Sequence, residues 1–119
     1  IKAGFPSPAA DFEELKLSLD HLLVKNREAT FYAKASGNSM IGAGIDDGDI
    51  LVIDRSLEPR NNAIAVCLID GEFTVKRIKK DNDEVYLMPE NSQYQPIKIE
   101  EENELIIWGI VTYAIKQMK

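Results

Sequence analysis

Ile64-Ala65-Val66-Cys67-Leu68-Ile69-Asp70-Gly71-Glu72-Phe73-Thr74-Val75-Lys76-Arg77-Ile78 is the stretch that decides the fold. Asp-Gly between two runs of apolar and β-branched residues is a favoured two-residue type I′ turn, so the segment reads as a β-hairpin. If Ile69 faces Glu72, then Lys76 lies opposite Ala65 and Thr74 opposite Cys67. Side chains two apart along a strand share a face. Ala65, Cys67, Ile69, Thr74, Lys76 and Ile78 therefore fall on one side, and Ile64, Val66, Leu68, Phe73, Val75 and Arg77 on the other. Lys76 projects from a largely apolar face beside small residues.

Outward from the hairpin, short runs rich in Val, Ile, Tyr and Phe recur between turn signals, the pattern of an all-β sandwich or barrel. The expected strands are Thr30-Ala35, Ile50-Asp54, Ala63-Ile69, Glu72-Ile78, Glu84-Met88, Ile97-Ile99 and Leu105-Ile115, the last bent at Gly109. Upstream, Gly4-Phe5-Pro6-Ser7-Pro8-Ala9-Ala10 carries two prolines, which favour extended chain over helix or central strand. Residues 1–10 read as an exposed arm and 11–119 as one domain. Between Asp11 and Leu23, a helical turn (Phe12, Leu15) and strand-like alternation (Leu15, Leu17, Leu19) fit equally well, and periodicity leaves both open.

With 119 residues and 45% apolar content the chain can bury one modest core. A net charge of -6 argues against direct nucleic-acid binding, which needs clustered Lys and Arg. The short basic run Lys76-Arg77-Ile78-Lys79-Lys80 makes no groove for it. The single cysteine, Cys67, excludes an internal disulfide, and with the lone histidine, His21, it makes no tetrahedral zinc site. No apolar run approaches the roughly 20 residues of a membrane span, and Ile1-Lys2-Ala3-Gly4 opens no signal peptide. The expectation is a soluble, cytoplasmic protein with no cofactor and no metal. Asp46-Asp47-Gly48-Asp49 lacks the ligand spacing of a calcium loop and reads as a turn.

Ser36-Gly37-Asn38-Ser39-Met40 follows an expected strand, and Gly-Asn supplies the freedom for a sharp turn that lifts Ser39. Serine collects in such turns in any case, and a nucleophilic serine needs a base. The only histidine lies upstream in Leu19-Asp20-His21-Leu22, Gly37 begins no Gly-x-Ser-x-Gly elbow, and no serine precedes a lysine by three residues. What remains is a Ser-Lys dyad assembled from separate elements. At its ordinary pKa only roughly one lysine in 2,500 is neutral at pH 7, so a basic lysine must sit where burial lowers its pKa. Lys76 has the best surroundings for that. Lys79 and Lys80 adjoin a polar turn, and Lys2, Lys116 and Lys119 lie near the ends of the chain. A strand lysine pointing to solvent is nonetheless commoner than a buried one.

Gly4-Phe5-Pro6-Ser7-Pro8-Ala9, Lys34-Ala35-Ser36-Gly37-Asn38-Ser39-Met40, Gly48-Asp49, Asp70-Gly71-Glu72-Phe73-Thr74-Val75-Lys76-Arg77 and Pro89-Glu90-Asn91-Ser92, in that order, resemble the UmuD and LexA family of self-cleaving SOS proteins. The resemblance runs through nearly the whole chain. It implies that Ser39 is the nucleophile, Lys76 its base, and Ala3-Gly4 the bond cut. Backbone N–H groups of Ser39 and Met40 would then hold the oxyanion. Ala3 before the glycine matches LexA-type repressors, whereas the best-known UmuD has Cys there. The family further implies a homodimer, cleavage promoted by RecA filaments on single-stranded DNA, and a UmuC-type error-prone polymerase as partner of the processed form. The rival readings are the self-cleaving domain of a LexA-type or phage repressor, a binding module without turnover, and a signal peptidase, against which the missing membrane anchor counts.

Cys67, in an apolar strand, reads as a buried, inert thiol. Trp108, amid Leu105, Ile106, Ile107, Ile110 and Val111, fits a core or dimer face at least as well as a partner anchor.

Overall fold

The computed structural model describes residues 18–119. The arm expected at residues 1–10 lies outside them, as does most of the ambiguous stretch from Asp11. The end of that stretch, Leu19–Leu23, forms a short exposed helix, α1.

The expected mostly β architecture is what the chain adopts. Among the described residues seven strands, β1 (Thr30–Lys34), β2 (Ile50–Asp54), β3 (Ile64–Ile69), β4 (Glu72–Asp81), β5 (Glu84–Met88), β6 (Ile97–Lys98) and β7 (Leu105–Ile115), form one antiparallel sheet ordered β1-β2-β7-β3-β4-β5-β6. The strand limits differ from expectation by a residue at β1, β3 and β6. β4 runs three residues beyond Ile78 because a second hairpin, turning at Asn82 (φ 56°), extends its pairing with β5.

The β3–β4 hairpin has the register read from its turn: Ile69 pairs with Glu72, Cys67 with Thr74 and Ala65 with Lys76. Asp70 (φ 48°) and Gly71 (φ 87°) both take the positive φ that a type I′ turn demands. Asp70 also caps the start of β7, its carboxylate accepting from Glu104 N–H (2.8 Å) and Asn103 Nδ2 (2.7 Å).

β7 is central and shared. Its first half pairs with β3 and its second half with β2, and the register slips by one residue in each ladder, leaving Trp108 and Thr112 as the extra residues. Such bulges bend a strand and increase its twist. The bend foreseen at Gly109 is therefore distributed over bulges on either side of it. Gly109 itself is required by close packing, since a Cβ there would stand 2.5 Å from Ile53 Cγ2.

Alternation along the central strands yields two core clusters. Ala65, Cys67, Ile78, Leu87 and Ile110 form one, and Ala35, Met40, Ile45, Leu51, Ile53 and Val66 the other. Neighbouring residues of one strand, Ala65 and Val66, belong to different clusters, as period-2 geometry requires. Asn26 Nδ2 donates to the buried Asp54 carboxylate (3.1 Å), tying the segment after α1 to β2.

Gly109→Ala forces the β2–β7 contact apart, and overpacking of this kind costs about 1–3 kcal/mol. A denaturant midpoint lowered accordingly is expected; an unchanged midpoint would show that the contact yields freely.

Candidate active site

Lys76 is 8% exposed, and among the described residues no carboxylate pairs with it. Its Nζ lies 2.6 Å from Thr74 Oγ1, 3.1 Å from Val75 O and 3.0 Å from Ser39 Oγ. Thr74 is within reach because residues two apart on β4 share a face. Ser39 is brought there by the loop between β1 and β2.

That loop is held from two sides. On one, Gly37 (φ 84°) donates its N–H to Asp47 Oδ1 (2.7 Å), and Ala35 exchanges backbone bonds with Asp49 and Gly48. Asp46-Asp47-Gly48-Asp49 is indeed a turn, with Asp46 N–H bonded to Asp49 Oδ2 and the Lys116 ammonium paired with Asp46 and Asp49. The lysine near the C-terminus is thus a structural cation. On the other side, the segment after β5 grips the loop: Glu90 N–H donates to Ser39 O (2.8 Å), and Gly42 N–H to Glu90 O (2.7 Å). Asn91 Nδ2 donates to Asn38 O (2.9 Å), and the Tyr94 hydroxyl to Asn38 Oδ1 (2.6 Å). Arg77 Nε pairs with Glu90 Oε1 (2.5 Å), anchoring this strap to β4. The Met40 side chain, 3% exposed, pins the turn into the core.

Beside Ser39 opens a largely apolar cleft of about 450 Å³, lined among others by Ala35, Met40, Val66, Thr74 and Trp108. Trp108 is half-buried, with Phe31 and Phe73 edge-on at 5.3 and 6.3 Å and the Arg55 guanidinium 4.3 Å over its ring. Among the described residues, the N–H groups of Ser39 and Met40 have no hydrogen-bond acceptor.

Burial depresses the Lys76 pKa below the ordinary lysine value, because a charged amine loses its hydration there. A Cys67 thiolate would act the other way. Burial pushes that thiol up to about 11, so it carries no charge at neutral pH and leaves the depression of Lys76 in place. Cys67 is fully buried and free, in accord with an inert thiol.

Of the residues singled out from sequence, Ser39, Met40 and Lys76 meet at this point, while Ala3 and Gly4 lie outside the described residues. Lys79 and Lys80 are exposed, and His21 sits on exposed α1. Sequence reasoning missed Thr74 as a partner of Lys76, although its position two residues earlier on the same strand carried that information. It gave Asp47, Asn91 and Tyr94 no part in the site, since their contacts to the turn span 10, 53 and 56 residues.

The site thus brings a serine hydroxyl against a buried amine, at the end of an apolar cleft in a β domain, and the family match gives its class as serine peptidase. Residues 1–112 match the peptidase S24-like family, and the chain belongs to it. It is 42% identical over 116 residues to protein MucA of Salmonella typhimurium, covering 97% of this chain and 79% of MucA. Protein ImpA of Shigella flexneri is 37% identical over 119 residues, covering 99% and 80% of the two chains. Protein SamA of Salmonella typhimurium strain LT2 is 39% identical over 117 residues, covering 98% and 81%. Within the family the chain is UmuD-like, in keeping with the motifs. No helix among the described residues is long and apolar enough to cross a membrane.

The lowered lysine pKa has a consequence for stability. Below its folded-state pKa, Lys76 is charged in both states and its burial opposes folding; the penalty fades as pH rises through that pKa toward the unfolded value near 10.5. Lys76→Met is expected to be more stable than wild type at pH 7, with the gap closing toward pH 10.5. Urea unfolding of both proteins across that range checks this, and Cys67, common to both, cancels in the difference. A gap that widens with pH contradicts it.

Proposed function

We propose that this protein is a self-cleaving Ser-Lys endopeptidase of the SOS response that cuts Ala3-Gly4, and whose shortened dimer serves an error-prone translesion polymerase. The observation that carries the reading is the 3.0 Å approach of Ser39 Oγ to the buried Lys76 amine. In this reading residues 1–10 form the arm that is cut and residues 11–119 the peptidase domain.

Neutral Lys76 has two N–H donors and one lone pair. Val75 O only accepts and Thr74 Oγ1 takes the second donor, so the lone pair faces the Ser39 hydroxyl, which donates to it. As the Ser39 proton passes to Nζ, Oγ bonds the Ala3 carbonyl carbon, and the oxygen's developing charge falls to the N–H groups of Ser39 and Met40. The tetrahedral adduct collapses with loss of the C–N bond, and the Lys76 ammonium protonates the Gly4 amine. Water, deprotonated by the same lysine, then adds to the acyl carbon, and as the bond to Oγ breaks the Lys76 ammonium returns that proton to Ser39 Oγ. Every proton is handled by chain residues, and the reaction uses no cofactor.

UmuD-like relatives support a UmuC-type polymerase as partner of the processed form, and the resemblance of the motifs implies a RecA filament on single-stranded DNA as promoter of cleavage. Direct nucleic-acid contact is not part of this reading, given the net charge of -6. The runner-up, a LexA-type repressor, draws only on Ala3, and the similarity to MucA, ImpA and SamA favours the UmuD-like reading.

With the full arm present, Ser39→Ala and Lys76→Ala are each expected to abolish cleavage while leaving the domain folded, as mass spectrometry after alkaline incubation reads out. For wild type the rate rises from pH 7 toward 10, because only the neutral fraction of Lys76 is active. Cleavage by Ser39→Ala removes the mechanism, and a flat pH profile removes the lysine base.

The homodimer is built in part through β7. Ile106, Tyr113 and Ile115 are exposed apolar side chains on this strand, and the second half of β7 pairs with β2 along only one edge among the described residues. An isologous contact covers such a surface on both copies at once. Ile115→Asp is expected to shift sedimentation at low micromolar concentration toward monomer with little loss of melting temperature. A wild type that stays monomeric on concentrating refutes the dimer.

A further inference from the structure

The strap after β5 touches neither Oγ of Ser39 nor Nζ of Lys76, yet three of its four bonds to the loop fall on Asn38 and Ser39. Two of these are to carbonyl oxygens: Asn91 Nδ2 to Asn38 O at 2.9 Å and Glu90 N–H to Ser39 O at 2.8 Å. A trans peptide unit is planar, with its C=O and N–H pointing in opposite directions. Holding the Asn38 carbonyl therefore aims the Ser39 N–H, and holding the Ser39 carbonyl aims the Met40 N–H. These are the two N–H groups that lack an acceptor among the described residues.

We propose that Asn91 is a positioning residue that sets the oxyanion-binding direction of the Ser39 N–H by fixing the carbonyl of the preceding peptide plane. The inference rests on the Ser-Lys reading above and deepens it. The asparagine is itself prevented from flipping. Gln93 N–H donates to its Oδ1 (2.9 Å), which leaves Nδ2 to face Asn38 O, and Tyr94 N–H closes the turn onto Asn91 O (3.0 Å). The Tyr94 hydroxyl holds the Asn38 side chain from the same strap. Gly42 lets strap and loop approach this closely, since a Cβ there would stand 2.6 Å from Glu90 O.

Losing one oxyanion donor costs roughly 100- to 1,000-fold in rate, so a donor whose peptide plane is left to the longer bond from Ile41 N–H to Asn38 O (3.5 Å) should cost less, about 10- to 100-fold. The test is first-order self-cleavage of the protein with its full arm, over a range of pH, alongside the affinity of a peptide boronic acid that forms a tetrahedral adduct on Ser39. Asn91→Ala is expected to lower the rate about 10- to 100-fold and weaken the boronate in parallel, with an unchanged pH midpoint. The midpoint belongs to Lys76, which the strap does not touch. Asn91→Asp keeps the bond from Gln93 N–H but turns a carboxylate oxygen on Asn38 O, and is expected to be slower still; it remains informative if Asn91→Ala unfolds. Wild-type rate and boronate affinity in a folded Asn91→Ala or Asn91→Asp protein overturn the proposal, as does a loss accompanied by a moved pH midpoint. Cleavage surviving Ser39→Ala overturns the Ser-Lys reading itself, a result distinct from either.

Discussion

The site depends on one constraint: an amine carried by a sheet lysine must be kept from water with no carboxylate to offset its charge. A buried ammonium is costly, and among the described residues Nζ meets only the Val75 carbonyl and the Thr74 and Ser39 hydroxyls, none of which carries a charge to offset it. Burial therefore favours the neutral amine. Had Asp47 or Glu90 reached Nζ, the lysine would be a charged structural cation like Lys116. Asp47 is instead occupied by Gly37 N–H, and Glu90 by Arg77.

The remainder of the fold keeps that amine in place. Lys76 is placed by the type I′ turn through hairpin register, and a one-residue slip would send it to the opposite face. β3 is locked between β4 and β7, with Ala65 and Cys67 fully buried beneath it. Cys67 is neighbour to Lys76 and contributes bulk without charge, because its own burial keeps it protonated. On the opposite side, the Ser39 loop hangs from the acidic turn and the strap after β5, so two parts of the chain distant in sequence meet at one peptide turn.

Much of this was legible in the residues. Asp70-Gly71 dictated the hairpin and, through it, the face and company of Lys76. The apolar runs marked all seven strands to within a few residues. Asp11 to Leu23 stayed ambiguous because its apolar spacing fits both periods, and its described end forms a helix too short and exposed to announce itself by an apolar face. The bulges at Trp108 and Thr112 were not legible, since they arise from β7 serving two partner strands at once. The strap's role was equally hidden: Pro89-Glu90-Asn91-Ser92 stands out only as part of the family resemblance, and nothing local ties Asn91 to a carbonyl 53 residues away.

The central claim is that burial beside Ser39 lowers the pKa of the Lys76 amine, so that its neutral form is reached at lower pH than in a free lysine. The direct measurement is the pKa of Lys76 itself, followed by NMR of its side-chain carbon and nitrogen through a pH titration of the folded protein, with Lys76→Met used for assignment. The account predicts a midpoint below the ordinary value of 10.5, in a range where Cys67 is still protonated. A Lys76 that titrates at or above 10.5 would contradict it.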